Sequence, residues 1–181
     1  MIRAMATVMV FLASGFCLAQ DSPPQGPWRL DKTIVVGQEA WRWNWASWDQ
    51  EKIATVGRFQ YTVLWDADRV FVLARRDLGD NRVQTLRLPE FKLSSDDPHR
   101  NTCLGVSQAD GRLHLSWDHH NDPLRYTRSR AGFLTDPPPQ MTAADIEPPQ
   151  AISPDKSLAS RVTYPRFLND ANGELLLFYR Q

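Results

Sequence analysis

Four histidines provide the side chains best suited to proton transfer or metal binding in this sequence of 181 residues. Three of them, His114, His119 and His120, fall in one short stretch, and the fourth is His99. Imidazole changes its charge near neutral pH and also ligates metal ions, so either a proton-transfer site or a metal centre would use these residues. The spacings typical of zinc motifs, such as C-x-x-C or H-E-x-x-H, are absent, and we therefore predict no metal site.

The three clustered histidines are expected to have side chains that point in different directions. His114 alternates with Leu113 and Leu115 in a strand-like run, so its side chain is expected to point away from the apolar face. His119 and His120 are adjacent, and their side chains would diverge if the strand continued. We expect the strand to end here and a loop to follow.

Residues 1–19 have the features of a secretory signal peptide. A short basic start is followed by an uncharged, mostly apolar run from Ala4 to Phe16 and by a plausible cleavage point before Gln20. The run is too short to anchor the chain across a bilayer. Lipidation at Cys17 is a weaker alternative because a bulky residue precedes it. We expect a secreted or periplasmic protein whose mature domain is residues 20–181.

The composition excludes several classes of function. Twenty-one Lys and Arg residues balance 21 Asp and Glu residues, and cleavage before Gln20 leaves 20 against 21. Proteins that bind nucleic acids normally have a basic excess, so we expect no nucleic-acid partner. Cys103 is the one cysteine left after cleavage, which excludes an intramolecular disulfide. A second long apolar segment is absent, so no membrane span is expected.

Alternating apolar and polar residues, joined by turns rich in Asp, Asn and Gly, predict an all-β fold. The predicted strands form three units. The first has the strands Phe59–Trp65, Val70–Arg75 and Arg82–Leu88, and the second has Thr102–Ser107, Arg112–Trp117 and Leu124–Arg128. The third has Val162–Leu168 and Leu175–Tyr179. Repeated units of this kind are typical of a β-propeller of antiparallel blades, although an ordinary sandwich uses the same strands.

Two further features bear on the organisation of the domain. The proline-rich residues 135–154 are predicted to form a long surface excursion within a single domain. The sequence stops at Gln181, directly after a strong strand, which would leave open sheet edges. We therefore expect an N-terminal fragment of about three blades, the first blades of a longer propeller chain.

A sialidase-type hydrolase is disfavoured by the turn that follows Ser107. The Asp-box turn requires Ser-x-Asp-x-Gly, whereas Asp110 stands one place late before Gly111. The acidic residues also show no pair that stands out as the two carboxylates of a glycosidase.

Several segments carry a family resemblance. HRNTCLGVS at residues 99–107 continues into DGRLHLSWDHHNDPLRY at residues 110–126, and these segments are accompanied by Gln60–Gly79 and by Val162–Arg180, which includes VTYPRF. Together, over residues 32–181, they resemble the BNR-repeat-containing family related to ulvan lyases, which are seven-bladed propeller polysaccharide lyases. The resemblance implies part of such a propeller, monomeric at full length.

The resemblance also implies an active site. Lyases of this family use two histidines and, one hairpin later, a tyrosine with an arginine; the matching positions are His99 and His120, 21 residues apart, and Tyr164 and Arg180, 16 apart. His99 and Tyr164 would be the catalytic acid and base, in an order that the sequence does not decide. His120 and Arg180 would neutralise the substrate carboxylate. His119 is the fallback for His120.

The surrounding residues refine this expectation. Arg100 stands between His99 and Asn101, where many relatives have His-Asn directly, which leaves the orientation of His99 open. Trp117 and Arg125 are expected to contact the sugar rings or acidic groups of the substrate. The resemblance thus implies cleavage of an acidic, uronic-acid-containing polysaccharide by β-elimination, with no cofactor in the site and a structural metal elsewhere left open. The alternative is a non-catalytic propeller that binds carbohydrate or protein, because each residue singly also fits a turn or a packing role.

Overall fold

The computed structural model describes residues 33–37, 39–46 and 52–181. The predicted signal peptide, residues 1–19, lies outside the described residues. Residues Ile34–Gln181 cluster into one compact unit. Within the described ranges, no helix has the length and hydropathy required to span a membrane.

The regular secondary structure of the described residues is mainly β-strand, as the alternation of apolar and polar residues predicted. In the described part of the chain the strands are β1 (Ile53–Val56), β2 (Phe59–Trp65), β3 (Val70–Asp77), β4 (Val83–Lys92), β5 (Thr102–Ser107), β6 (Arg112–Trp117), β7 (His120–Asp122), β8 (Tyr126–Arg128), β9 (Val162–Asn169) and β10 (Leu175–Arg180). Two short 3-10 helices, Ala143–Asp145 and Lys156–Ala159, lie between β8 and β9.

The strands form three antiparallel sheets. The first sheet has the order β1-β2-β3-β4, the second β5-β6-β8 and the third β10-β9-β7. The loop predicted after Trp117 is wrong in one respect, because His120–Asp122 form a strand that pairs with β9 rather than with β6. The chain therefore crosses from the second sheet to the third at His120 and then returns to the second sheet at β8.

Strand β4 continues through Pro89, beyond Leu88, where the predicted run ends. Phe71 pairs with Leu88, but the adjacent Val70 pairs with Lys92, so residues of β4 around Pro89 bulge out of the ladder. Proline has no N–H to donate, and a bulge on an edge strand is a position where this loss is tolerated.

The main core lies between the first and second sheets. It includes Trp65 and Phe71 from the first sheet and Leu113 and Leu115 from β6, all fully buried. His114 lies between the two leucines in β6, and its side chain lies on the opposite face of the sheet, as the alternation predicts. There its ring contacts the ring of Phe167. A smaller cluster joins the second sheet to the third and consists of Cys103, Tyr126 and Phe167.

The proline-rich excursion is attached to the first sheet. The Arg75 guanidinium donates a hydrogen bond to the carbonyl of Pro138 at 2.7 Å. The Gln84 side-chain amide donates to the carbonyl of Pro139 at 2.6 Å. Met141 is 3% exposed and joins the main core. The segment thus packs along the edge of the sheet instead of projecting into solvent.

Candidate functional site

Two histidines, a tyrosine and an arginine from three parts of the chain lie side by side. They are His99 in the loop before β5, His120 at the start of β7, Tyr164 in β9 and Arg180 at the end of β10. The ring centroids of His99 and His120 are 4.5 Å apart, and those of His99 and Tyr164 are 5.8 Å apart. The guanidinium carbon of Arg180 lies 5.0 Å from the centroid of the Tyr164 ring. The structure therefore brings together the four residues that the sequence resemblance singled out.

The third sheet explains how His120 and Arg180 come together. Thr163 in β9 pairs with His120 on one side and with Arg180 on the other. Cross-strand partners in an antiparallel sheet project from the same face, so this row places both side chains on one face of the sheet, with Thr163 between them. Thr163 also accepts a hydrogen bond on its hydroxyl from the backbone N–H of Asn121 at 2.8 Å, which ties β7 to β9.

Tyr164 adopts a backbone conformation that is unusual for its type. Its φ is 53°, in the left-handed region, and it is followed by Pro165. A bulky residue at positive φ costs on the order of 1–3 kcal/mol, and such residues are concentrated at functional positions. The register between β9 and β10 also shifts next to this point, between Phe178 and Arg180. The irregularity redirects the tyrosine ring from the regular strand alternation toward His99 and Arg180.

Asp97 connects the two histidines of the cluster. One carboxylate oxygen lies 2.6 Å from Nδ1 of His99, and the other lies 2.5 Å from Nδ1 of His120. The backbone N–H of His99 also donates to the Asp97 carboxylate at 3.0 Å. Burial disfavours the charged form of Asp97, but the hydrogen bonds from His120 and His99 outweigh burial and lower its pKa to about 2. The carboxylate is therefore ionised and accepts hydrogen bonds from both rings.

The sequence singled out no acidic residue for this site, and Asp97 was therefore missed. The available signal was the spacing Asp-Pro-His, which places an acid two residues before His99. That spacing allows the Asx-type hydrogen bond back to the His99 N–H. The contact with His120 could not be read from the sequence because it depends on the crossing of the chain into the third sheet.

Arg100 forms hydrogen bonds that hold the chain on either side of His120 in place. Its guanidinium donates to the Asp122 carboxylate at 2.7 Å and to the backbone carbonyl of Asp118 at 3.2 Å. The same Asp122 carboxylate accepts the backbone N–H of His120 at 3.1 Å. Arg100 thus occupies the position between His99 and Asn101 without displacing His99 from the cluster, because its side chain turns toward the two aspartates.

His119 and His114 have structural environments. His119 is fully buried, and its Nε2 accepts the backbone N–H of Arg125 at 2.7 Å. Burial, together with the positive charge of Arg125, lowers the pKa of His119 to about 3, so the ring is neutral. His114 shares a hydrogen bond of 2.7 Å with the Tyr126 hydroxyl, and burial lowers its pKa. His119 is therefore packed in the protein while its neighbour His120 belongs to the cluster.

Trp117 and Arg125 lie on a neighbouring cavity of about 690 Å³. Trp117 is 4% exposed, and its ring stacks on Phe91 with centroids 4.2 Å apart, so it contributes to the core as well as to the cavity wall. Arg125 is ion-paired with Asp118 at 3.3 Å and with Asp122 at 3.7 Å. The cavity is mainly apolar, and the structure groups these two residues with it rather than with the histidine cluster.

The histidine cluster also has the composition of a metal-binding group. Asp97, His99 and His120 each offer a ligand atom, and these atoms lie within 4.8 Å of one another. Two imidazoles and a carboxylate suit a divalent transition metal such as Zn²⁺. The sequence showed no motif of this kind because the ligands come from a loop and from a strand in a different sheet.

Comparisons with known proteins agree with the fold. The sequence model described as BNR repeat-containing family member matches residues 59–181. No curated protein matches the sequence. Among solved structures, the polysaccharide lyase Uly1 aligns with a TM-score of 0.66 and 18% identity, over 83% of this chain and 40% of that chain. An ulvan lyase of polysaccharide lyase family PL25, solved with -[GlcA(1-4)Rha3S]- bound, aligns with a TM-score of 0.52 and 12% identity, over 80% of this chain and 33% of that chain.

These likenesses show the fold. The three antiparallel sheets are blades of a β-propeller, as the family resemblance implied, and the sandwich that the strand pattern alone left open is excluded. The chain spans 40% and 33% of the length of the two lyases that it resembles.

Proposed function

Because this chain belongs to the BNR repeat-containing family, we propose that it is a polysaccharide lyase that cleaves an acidic, uronic-acid-containing polysaccharide by β-elimination. The observation that carries the proposal is the convergence of the two histidines, the tyrosine and the arginine described above, His99, His120, Tyr164 and Arg180. The likeness to two solved polysaccharide lyases adds support at the level of the fold.

The proposed reaction is redox-neutral. A base removes the proton at C5 of the uronate, and the electrons of that C–H bond form a double bond between C4 and C5. The bond from C4 to the glycosidic oxygen breaks, its electrons go to the oxygen, and an acid gives that oxygen a proton. No electrons are gained or lost overall, so the reaction requires no redox cofactor.

Arg180 and His120 are suited to the charge that develops on the substrate. Removal of the C5 proton places negative charge on the adjacent carboxylate, and the rate depends on how well the site stabilises it. The guanidinium of Arg180 is permanently cationic and binds carboxylates in a bidentate manner. His120, which lies across Thr163 from Arg180, supplies a second hydrogen-bonding group from the other side of β9.

His99 and Tyr164 are suited to proton transfer. An imidazole accepts or donates a proton near neutral pH, and a phenol donates a proton to a departing oxygen or, when ionised, accepts one. Their rings are 5.8 Å apart, so a sugar held by Arg180 would meet both. Which of them removes the C5 proton depends on the stereochemistry of the uronate.

The proposal includes export of the protein. Residues 1–19 have the pattern of a signal peptide, and a secreted or periplasmic enzyme would meet extracellular polysaccharides.

The test is the appearance of the unsaturated uronate, which absorbs in the ultraviolet. The protein, purified at the full length that its gene encodes, is incubated with a panel of uronate-containing polysaccharides and with neutral polysaccharides as the control. We expect absorbance to rise with at least one uronate polymer and with no neutral polymer. No rise with any member of the panel, together with retained binding of an acidic polymer, would identify the chain as a non-catalytic binding module.

Variants assign the roles. We expect His99→Ala and Tyr164→Phe each to reduce kcat by at least ~100-fold, because each removes a proton-transfer group. Tyr179→Phe is the matched control, since Tyr179 precedes Arg180 in β10 and its hydroxyl donates to the backbone carbonyl of Leu158. Activity that persists at the full rate in both site variants would overturn the assignment.

A chelator separates side-chain catalysis from metal catalysis. We expect the full rate in EDTA. A loss of rate in EDTA that Zn²⁺ restores, with the stability of the fold unchanged by the chelator and with Zn²⁺ binding lost in Asp97→Asn, would instead assign Asp97, His99 and His120 to a metal centre.

A further inference from the structure

We propose that Asp97 is a positioning residue that fixes the orientation and the tautomer of both histidines of the cluster, so that each presents Nε2 for chemistry on the substrate. The proposal rests on the proposed function, and it adds a residue that the family resemblance did not supply. Its basis is the use of one carboxylate for two rings, with one oxygen at 2.6 Å from Nδ1 of His99 and the other at 2.5 Å from Nδ1 of His120.

A carboxylate that is hydrogen-bonded to two imidazole rings determines which nitrogen of each ring carries the hydrogen. At neutral pH it is ionised and only accepts hydrogen bonds, so both contacts require a hydrogen on Nδ1. In each neutral imidazole the lone pair is then on Nε2, at the far side of the ring from Asp97. The same contacts hold the two rings with their centroids 4.5 Å apart.

The loop that carries Asp97 is itself anchored. The backbone carbonyl of Asp97 accepts the N–H of Arg100 at 3.0 Å, which closes a turn around His99. Arg100 is held in turn by the Asp122 carboxylate, which also accepts the backbone N–H of His120. The acid and the two histidines are thus fixed relative to one another through both side-chain and backbone contacts, as a site that transfers protons requires.

Asp97→Asn is the informative variant because it preserves shape and changes hydrogen-bonding capacity. An amide has one acceptor oxygen and one donor NH₂ group, so it can accept from one ring but must donate to the other. The histidine that meets the NH₂ group has to place its lone pair on Nδ1 and its hydrogen on Nε2, which is the wrong tautomer for the proposed role. Asp96→Asn is the matched control, since Asp96 accepts from Nε1 of Trp41 at 2.9 Å and ion-pairs with Arg42.

The primary readout is nitrogen NMR of the protein with ¹⁵N-labelled histidine rings, which distinguishes the two neutral tautomers without any substrate. We expect His99 and His120 in the Nδ1–H form in the parent protein and in Asp96→Asn, alongside the buried His119, whose Nε2 accepts a hydrogen bond. In Asp97→Asn we expect either His99 or His120 in the Nε2–H form. An Nε2–H tautomer at either ring in the parent, or unchanged ring spectra in Asp97→Asn, would overturn the proposal.

Kinetics provide the second readout. We expect Asp97→Asn to lower kcat by ~100-fold or more, in line with the loss seen when an acid that orients a catalytic histidine becomes an amide. KM should change less, because Arg180 still binds the carboxylate. Full kcat in Asp97→Asn would also overturn the proposal. If the tautomers are as expected but no polysaccharide is cleaved, the proposed lyase function fails while the positioning by Asp97 stands.

Discussion

His119 and His120 are adjacent in the sequence and have opposite environments. His119 is fully buried with its ring bound to the Arg125 backbone, whereas His120 is partly exposed beside His99 and Asp97. The divergence follows from the strand geometry at this point, because successive side chains of an extended chain point to opposite sides. A pair of adjacent histidines therefore provides one packing group and one candidate functional group.

The buried His119 should make the stability of the protein depend on pH. Its pKa is lowered from 6.5 to about 3, first by burial and then by the charge of Arg125. Below pH 6.5 the unfolded chain protonates this histidine while the folded chain does not, so stability is full above that pH and falls as the pH is lowered toward 3. For one such group the free energy of unfolding should drop by about 2 kcal/mol between pH 7.5 and pH 5. Urea unfolding at the two pH values measures this difference.

His119→Gln is the control for that prediction. The Gln side-chain oxygen can accept the Arg125 N–H in place of Nε2, but it does not titrate. The fall in stability between the two pH values should therefore be smaller in the variant than in the parent, with a remainder from His114, whose pKa burial also lowers. An equal fall in the two proteins would contradict the role assigned to His119.

At the scale of single elements, regular strands were predictable and irregular ones were not. The run Phe59–Trp65 was predicted with the bounds it has, because alternation and flanking turns are local signals. The three-residue strand His120–Asp122 was missed, since its partner β9 lies about 40 residues away and no local pattern reports such pairing. The positive φ of Tyr164 could not be predicted from the sequence either, because it arises where β7, β9 and β10 meet.

The conformation of Tyr164 predicts an unusual order of stabilities for two truncations. With φ at 53°, an Ala residue retains the steric cost of the left-handed region, about 1–2 kcal/mol, whereas Gly does not have this cost. Gly loses more conformational entropy on folding, by about 0.5–1 kcal/mol, so the two effects oppose each other. We expect Tyr164→Gly to be more stable than Tyr164→Ala by up to about 1 kcal/mol, measured by chemical denaturation.

Leu168 supplies the comparison in the same strand. It is 50% exposed and is not among the residues with positive φ, so Gly should be less stable than Ala there, as in an ordinary strand. The reversal of order between the two positions is the result that tests the strain at Tyr164. The same order at both positions would show that the left-handed conformation carries no steric cost.

At the scale of the molecule, the site depends on how the second and third sheets pack. His99 precedes the second sheet, whereas Tyr164 and Arg180 belong to the third, so the geometry of the cluster requires the two sheets to keep their spacing. Strand and turn signals predicted three sheets. They did not decide between a sandwich and a propeller, since that choice depends on how sheets face one another and side-chain periodicity is the same in both.

The contact that sets this spacing is Gly105 against Phe167. A Cβ added to Gly105 would lie 2.6 Å from Cγ of Phe167 and 2.7 Å from its Cβ, distances at which β5 and β9 must move apart. We expect Gly105→Ala to reduce the free energy of unfolding by about 1–3 kcal/mol, the usual cost of overpacking. Because the shift would separate His99 from Tyr164, the proposed lyase activity should fall in the same variant.

A second substitution distinguishes the clash from other effects of adding a methyl group. Phe167→Gly removes both of the atoms that a Cβ on Gly105 would meet, at the cost of lost packing in the small cluster with Cys103 and Tyr126. If the clash is the cause, the double variant should be more stable than the sum of the two single losses predicts, with a coupling energy of about 0.5–3 kcal/mol in a double-mutant cycle. Partial recovery of the proposed lyase activity should accompany it, since the sheets regain their spacing. Strict additivity of the two losses would mean that Gly105 does not control the distance between the sheets.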